Sequence, residues 1–256
     1  MADLETRVED GALWLTLNRP EAYNALSESM ADDLASVIEQ ATADDTVRVV
    51  VVTGAGDAFS AGADISGTDA HDHFDETTLD RANRIIRAIT TLDKPVVAAV
   101  NGVAAGVGCS AALAADIVVA RESASFLLAF ARIGLMPDGG ATATVAAAIG
   151  RARAMRMALL AEPLGAREAY DAGLIAHVVP DAEFDDAVAR VVRRLVAGPP
   201  LAFAATKKAI NAAIFTELDA ALERERTGQT LLLRTADLAE GMRAFGEKRR
   251  PRFRGG

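Results

Sequence analysis

One carboxylate, one serine and two runs of glycine are the features of this 256-residue chain best suited to chemistry. Asp138 lies in Gly134-Leu135-Met136-Pro137-Asp138-Gly139-Gly140, just ahead of the Ala-rich stretch Ala141–Ile149, which reads as a helix. An Asp so placed has two uses. As an N-cap it would be held ionised with a lowered pKa; as a base in a dry pocket it would have its pKa raised. Ser110 follows Gly106-Val107-Gly108-Cys109, but a hydrolase nucleophile elbow needs glycine two residues after the serine, where Ala112 stands. The histidines give little: His71 and His73 flank Asp72 in an acidic stretch that reads as a solvated loop, and His177 adjoins a strand-like run. Cys109 reads as a buried helix residue.

The elements that must position these residues are legible nearby. Val96–Val100 is a short β-branched run that tolerates Pro95 because proline sits at its start. Gly102, Gly106 and Gly108 then let the backbone turn and approach a ligand, and Cys109–Ala115 reads as a buried helix. Strand, glycine turn and helix together aim free N–H groups and the positive helix end at one place, so the ligand there carries or develops negative charge. A second such unit precedes it: Val49–Thr53, expected as a strand buried on both faces, ends in the glycine-rich loop Gly54–Ile65. The central turn also fits the phosphate turn of short-chain dehydrogenases, with Glu122 as a ribose ligand. Those enzymes need Tyr with Lys four residues on, and Tyr23 and Tyr170 have Ser27 and Leu174 there.

Further along, residues 5–18 read as a hairpin bending at Gly11, and Ser27 or Ser29 as the cap of a helix to about Ala41. Helices are expected at Leu79–Leu92, Ala152–Ala161, Ala166–Ala172 and Phe184–Ala197, the last capped by Asp181, with two or three more from Leu201 to Glu247. Alternating strand and helix to residue 150, then helix alone, implies an α/β core with a helical C-terminal part. A formal charge of −9 argues against nucleic acid as a partner, although basic residues crowd the C-terminus from Lys248 to Arg254. A single cysteine, no leader-like N-terminus and no long apolar run suggest a cytoplasmic protein without a membrane segment.

Five blocks in order, Leu17–Leu26, Val51–Ile65, Lys94–Asp116, Ile133–Gly140 and Met242–Phe253, resemble the enoyl-CoA hydratase/isomerase (crotonase) family. The resemblance implies a ββα spiral core over residues 1–197 and a C-terminal helical region, 198–256, that serves oligomerisation as homotrimers or homohexamers. It implies an acyl-CoA thioester as substrate; coenzyme A enters as part of that substrate, with no metal or redox cofactor. By the same resemblance, the backbone N–H groups of Ala63 and Val107 form an oxyanion hole, Val107 standing where glycine is usual. Ala61, Ala63, Asp64 and Ile65 wrap the CoA nucleotide with Ala22, Tyr23 and Ala25 beside them, Gly106, Ser110 and Phe130 belong to the same substrate- and CoA-binding set, and Phe245 and Lys248 approach the nucleotide.

The departure from the family lies in its acids. Hydratases of this family carry two glutamates, expected at Ser110 and Phe130, and neither residue here ionises near neutral pH. Asp138 matches the position where double-bond isomerases and ring-oxepin-forming isomerases of the family carry Asp or Glu. One base suffices for a 1,3-proton shift, so the resemblance favours an isomerase with Asp138 as base. A hydratase using another acid and a non-catalytic acyl-CoA-binding paralogue are the alternatives.

Overall fold

The computed structural model describes residues 2–65 and 75–256; His71, Asp72 and His73 lie outside the described residues. The chain repeats one unit, in which a strand of a large sheet is followed by a strand of a small sheet and then a helix. The large sheet has the order β1-β2-β3-β5-β7-β10 and the small one β4-β6-β8-β9. β1 (Leu4–Glu9) and β2 (Ala12–Leu17) form the expected antiparallel hairpin, after which α1 (Glu28–Gln40) begins at Ser27, whose hydroxyl accepts from Met30 N at 3.2 Å. Three units follow: β3 (Val49–Gly54), β4 (Ala58–Ser60) and α2 (Glu76–Thr91); β5 (Val96–Val100), β6 (Val103–Ala105) and α3 (Gly106–Ala114); β7 (Ile117–Arg121), β8 (Ser125–Leu127) and α4 (Ala141–Leu160). Strands β2, β3, β5, β7 and β10 run parallel.

Alternation along the central strands explains why they are continuously apolar. Val50 and Val52 of β3, with Val96, Ala98 and Val100 of β5, face the main core beneath α1 and α2. Val49, Val51, Val97 and Ala99 face the other way, against Phe184, Ala187, Val188 and Val192 of α6 (Phe184–Val196). A sheet covered on both faces can spend no position on a polar residue.

The remaining elements are β9 (Leu164–Gly165), α5 (Ala166–Asp171), β10 (His177–Val179), α7 (Pro200–Ile214), α8 (Leu218–Leu232) and α9 (Ala236–Gly246). Helix α4 is interrupted at Gly150 (φ 76°), which accounts for the two helices expected there. Two local expectations are corrected. Asp181 does not cap α6; its carboxylate accepts from Ser123 N at 3.1 Å across a loop. The central helix begins at Gly106 rather than Cys109, so its first turn lies inside the glycine run. Among the described residues no helix is long and apolar enough to cross a membrane.

Candidate active site

A cavity of about 1000 Å³ opens between the glycine loops, α2, the 129–135 turn and Phe245 of α9. Its upper wall is made of backbone. Asn24, fully buried, donates from Nδ2 to Ala55 O (2.9 Å) and Ala58 O (2.8 Å) and accepts from Arg19 N at 2.9 Å. This ties segment 19–25 to the loop after β3. Along that loop, Ala61 N donates to Tyr23 O, Gly62 N to Ser60 Oγ and Asp64 N to Leu26 O. The Ala63 N–H between them makes no hydrogen bond among the described residues, and Ala63 lines the cavity.

The second loop arrives directly opposite. At Gly62 (φ +96°) an added Cβ would lie 2.9 Å from Ala105 O and 3.4 Å from Val107 N, so only glycine lets the two loops touch. Gly106 (φ +52°) turns β6 into α3 at the same contact. The Val107 N–H, in the first turn of α3, has no acceptor within its helix. Two unspent amides, one from each loop, thus border one cavity beside the positive end of α3. The Val107 side chain lies in the wall, 6 % exposed.

Asp138 forms part of the floor. It is 6 % exposed, yet its side chain does not cap α4, whose cap is Gly140. That task falls to Glu225 of α8: its Oε2 accepts from Gly140 N at 2.7 Å, and its Oε1 from Thr142 N (2.9 Å) and Thr142 Oγ1 (2.5 Å). Asp138 Oδ2 accepts from Gln229 Nε2 at 2.9 Å, and Asp138 Oδ1 is buried without a partner among the described residues. Burial pushes the carboxyl up to about 7; the Gln229 hydrogen bond opposes this, and the nearby Glu225 charge adds to it. Of the two uses left open for an Asp here, helix capping is not the one the side chain serves.

Most expected site residues come together. Ala22, Tyr23, Ala25, Ala61, Ala63, Asp64, Ile65, Gly106, Val107, Phe130, Asp138 and Phe245 all line this cavity. Ser110 does not, and this corrects its reading as a substrate contact. It is completely buried behind the floor, where its hydroxyl donates to Asp138 O at 2.8 Å and so holds the peptide that carries the carboxylate. Lys248 lies beyond the lining, exposed just past α9. Asp64 is engaged by Arg19, whose Nη1 stands 2.8 Å from its Oδ2. Burial drives the Cys109 thiol up to about 12, leaving it inert at neutral pH. His177 is exposed at the start of β10.

Glu225 and Gln229 were not anticipated. They sit four residues apart on one face of a helix assigned to assembly, and nothing local marks them except that they would be polar residues on an otherwise buried stripe (Leu218, Ala221, Leu222). Arg19, Arg81 and Arg132 were also missed. Arg81 and Arg132 line the cavity mouth, Arg81 paired with Glu28 (2.9 Å) and Asp32 (3.1 Å).

A layered α/β spiral thus brings two amides, one from each glycine loop, and one buried acid to the walls of a single cavity. The enoyl-CoA hydratase/isomerase family profile matches residues 7–256, and the chain belongs to that family. It is 41 % identical to 1,2-epoxyphenylacetyl-CoA isomerase of Escherichia coli K12, over 98 % of this chain and 97 % of that one. It is 44 % identical to a probable enoyl-CoA hydratase of Rhodobacter capsulatus, over 97 % and 96 % of the two chains. The crystal structure of an enoyl-CoA hydratase from Mycobacterium avium subsp. paratuberculosis K-10 superposes with a TM-score of 0.93 at 49 % identity, covering 99 % of both chains.

Proposed function

We propose that this member of the family is an acyl-CoA isomerase that moves a carbon–carbon double bond by a 1,3-proton shift. The thioester oxygen of a 3-enoyl-CoA rests on the N–H groups of Ala63 and Val107. Asp138 Oδ1 removes a proton from C2, and the released electron pair passes into the thioester as a dienolate. Each amide aimed at that oxygen contributes roughly 3–4 kcal/mol of transition-state stabilisation. The same carboxyl then returns the proton to C4, leaving the double bond between C2 and C3. A pKa raised to about 7 suits a group that must both take and give a proton near neutrality.

The observation that carries this reading is the carboxyl of Asp138, a cavity-lining residue whose Oδ1 is buried without a partner among the described residues. Hydration needs a further acid to hold and activate water. Ser110 is spent on the Asp138 carbonyl and Phe130 is apolar wall, so neither can do so. The CoA nucleotide is assigned to the edge formed by Ala22, Tyr23, Ala25, Ala61, Asp64 and Ile65, with Phe245 and Lys248 at its end. Assembly as a homotrimer or homohexamer belongs to the same proposal. It is supported by α7, which exposes Leu201, Ile210 and Ile214. Leu218 of α8, by contrast, belongs to the core, and Phe215 packs against that core.

A second reading is favoured by the 41 % identity to the epoxide isomerase: the same acid and amides would serve a ring-opening isomerisation of an aromatic epoxide attached to CoA. Assays with 3-enoyl-CoA, 2-enoyl-CoA and an arene-epoxide acyl-CoA separate these readings. Turnover of the first without hydration of the second is the expected result; efficient hydration of 2-enoyl-CoA would overturn the isomerase assignment.

A further inference from the structure

Helix α8 lies at the far end of the chain from the glycine loops, yet two of its buried polar side chains meet the 136–142 segment that carries Asp138. Gln229 is completely buried. Its Oε1 accepts from Met136 N at 3.1 Å, and its Nε2 donates to Asp138 Oδ2 at 2.9 Å. The Met136 N–H can only donate, so the amide has one orientation that satisfies both neighbours, and a donor must face Asp138. Oδ2 is therefore always an acceptor. When the carboxyl is protonated, this hydrogen bond favours the proton on Oδ1, the buried oxygen without a partner among the described residues. One turn earlier on the same helix, Glu225 holds the start of α4 through Gly140 N, Thr142 N and Thr142 Oγ1. Two main-chain donors require it to accept, which favours its ionised form against the desolvation that raises its pKa.

We infer that Gln229 and Glu225 are the positioning residues of the proton-transfer step, Gln229 fixing which carboxyl oxygen of Asp138 carries the proton and Glu225 setting how strongly that proton is held. This rests on the isomerase reading above, in which Asp138 is the base.

The two residues act in opposite directions. The Gln229 hydrogen bond stabilises the Asp138 carboxylate, whereas the Glu225 charge destabilises it. Glu225 is the charged group acting on Asp138, and Arg224 in turn acts on Glu225. Ser110, packed on the same peptide from α3, is uncharged and holds the carbonyl rather than the carboxyl. A pair with opposed effects leaves a signature that general loosening of the fold does not produce.

The test is the pH–rate profile of 3-enoyl-CoA isomerisation by full-length wild type, Gln229→Met, Glu225→Gln and Asp138→Asn. Gln229→Met keeps length and apolar volume but removes the donor. Its acidic limb should move to higher pH, and kcat should fall roughly 10- to 100-fold with KM little changed, the cost of a carboxyl free to rotate. Glu225→Gln removes the charge and keeps an acceptor for Thr142, so its limb should move to lower pH. Limbs that stay at the wild-type position in both variants, with only melting temperature lowered, would overturn the inference. If Gln229→Met does not fold, Glu225→Gln decides alone, and an unmoved limb overturns it. Failure of the underlying reading looks different: Asp138→Asn would retain the wild-type rate.

Discussion

In the proposed mechanism the groups on one side of the cavity are backbone amides of residues 61–65 and 105–108; on the other they are side chains, Asp138 with Gln229 bonded to it and Glu225 bonded to the adjoining backbone. The amide wall is rigid because each loop directly follows a strand of the small sheet, and Gly62 against Ala105 leaves no slack. Its chemistry survives almost any side chain, as Val107 illustrates. The acid floor is assembled from pieces 85 to 91 residues apart and depends on the identity of each side chain. On the proposed reading the amides serve any thioester oxygen, and the acids opposite them decide which reaction follows. Two relatives named for different activities at similar identity, an isomerase at 41 % and a probable hydratase at 44 %, fit that division.

The largest expected effect lies on the acid side. Asp138→Asn keeps shape and a donor–acceptor amide but removes the base, and should cost roughly 10²–10⁴-fold in isomerisation rate. Because Glu225 rather than Asp138 holds the start of α4, the variant should fold normally by circular dichroism. A rate per folded molecule near wild type would remove the difference between the walls.

On the amide side, Gly62→Ala must adopt φ +96° with its Cβ 2.9 Å from Ala105 O, so the loops separate and the Ala63 N–H is displaced. A loss of roughly 10²–10³-fold in kcat, the usual cost of one oxyanion donor, is expected in steady-state assays. Retained kcat would mean that the loops do not act as one unit.

This contrast also governs what could be read from sequence. The hairpin, the both-face-buried β3, the central strand–turn–helix and the amide wall are written in contiguous residues, as β-branched runs and glycines. Asp138 was visible as a residue, but whether it caps a helix or sits in a dry pocket depends on Glu225, which takes the capping role from a remote helix. Ser110 looked like a cavity residue because it follows the turn; one helical turn carries it behind the floor. Long-range pairings of this kind leave no periodicity to find.

Two smaller effects sharpen the comparison. Lys248, outside the cavity lining, is expected to meet CoA phosphate: Lys248→Ala should weaken acyl-CoA affinity by about 1–2 kcal/mol at low salt, measured calorimetrically, with kcat unchanged. Unchanged affinity would make the basic tail structural. Stability should also report the acid floor. The Asp138 pKa is raised from the ordinary carboxylate range to about 7, so the unfolded chain ionises first. Its ionisation therefore costs stability progressively as pH rises from about 4 through about 7, and above 7 the full cost is present. Asp138→Asn has no such ionisation, so its melting temperature relative to wild type should increase across that window. A constant difference would show that Asp138 titrates in its ordinary range.

The most direct measurement follows the carboxyl itself. Infrared difference spectra of wild type against Asp138→Asn, recorded from pH 4 to 9, isolate the protonated-carboxyl band of Asp138. Titration of that band near pH 7, coinciding with the acidic limb of 3-enoyl-CoA isomerisation, is the predicted result. A carboxylate already ionised at pH 5, with a rate limb falling elsewhere, would contradict the role given to Asp138.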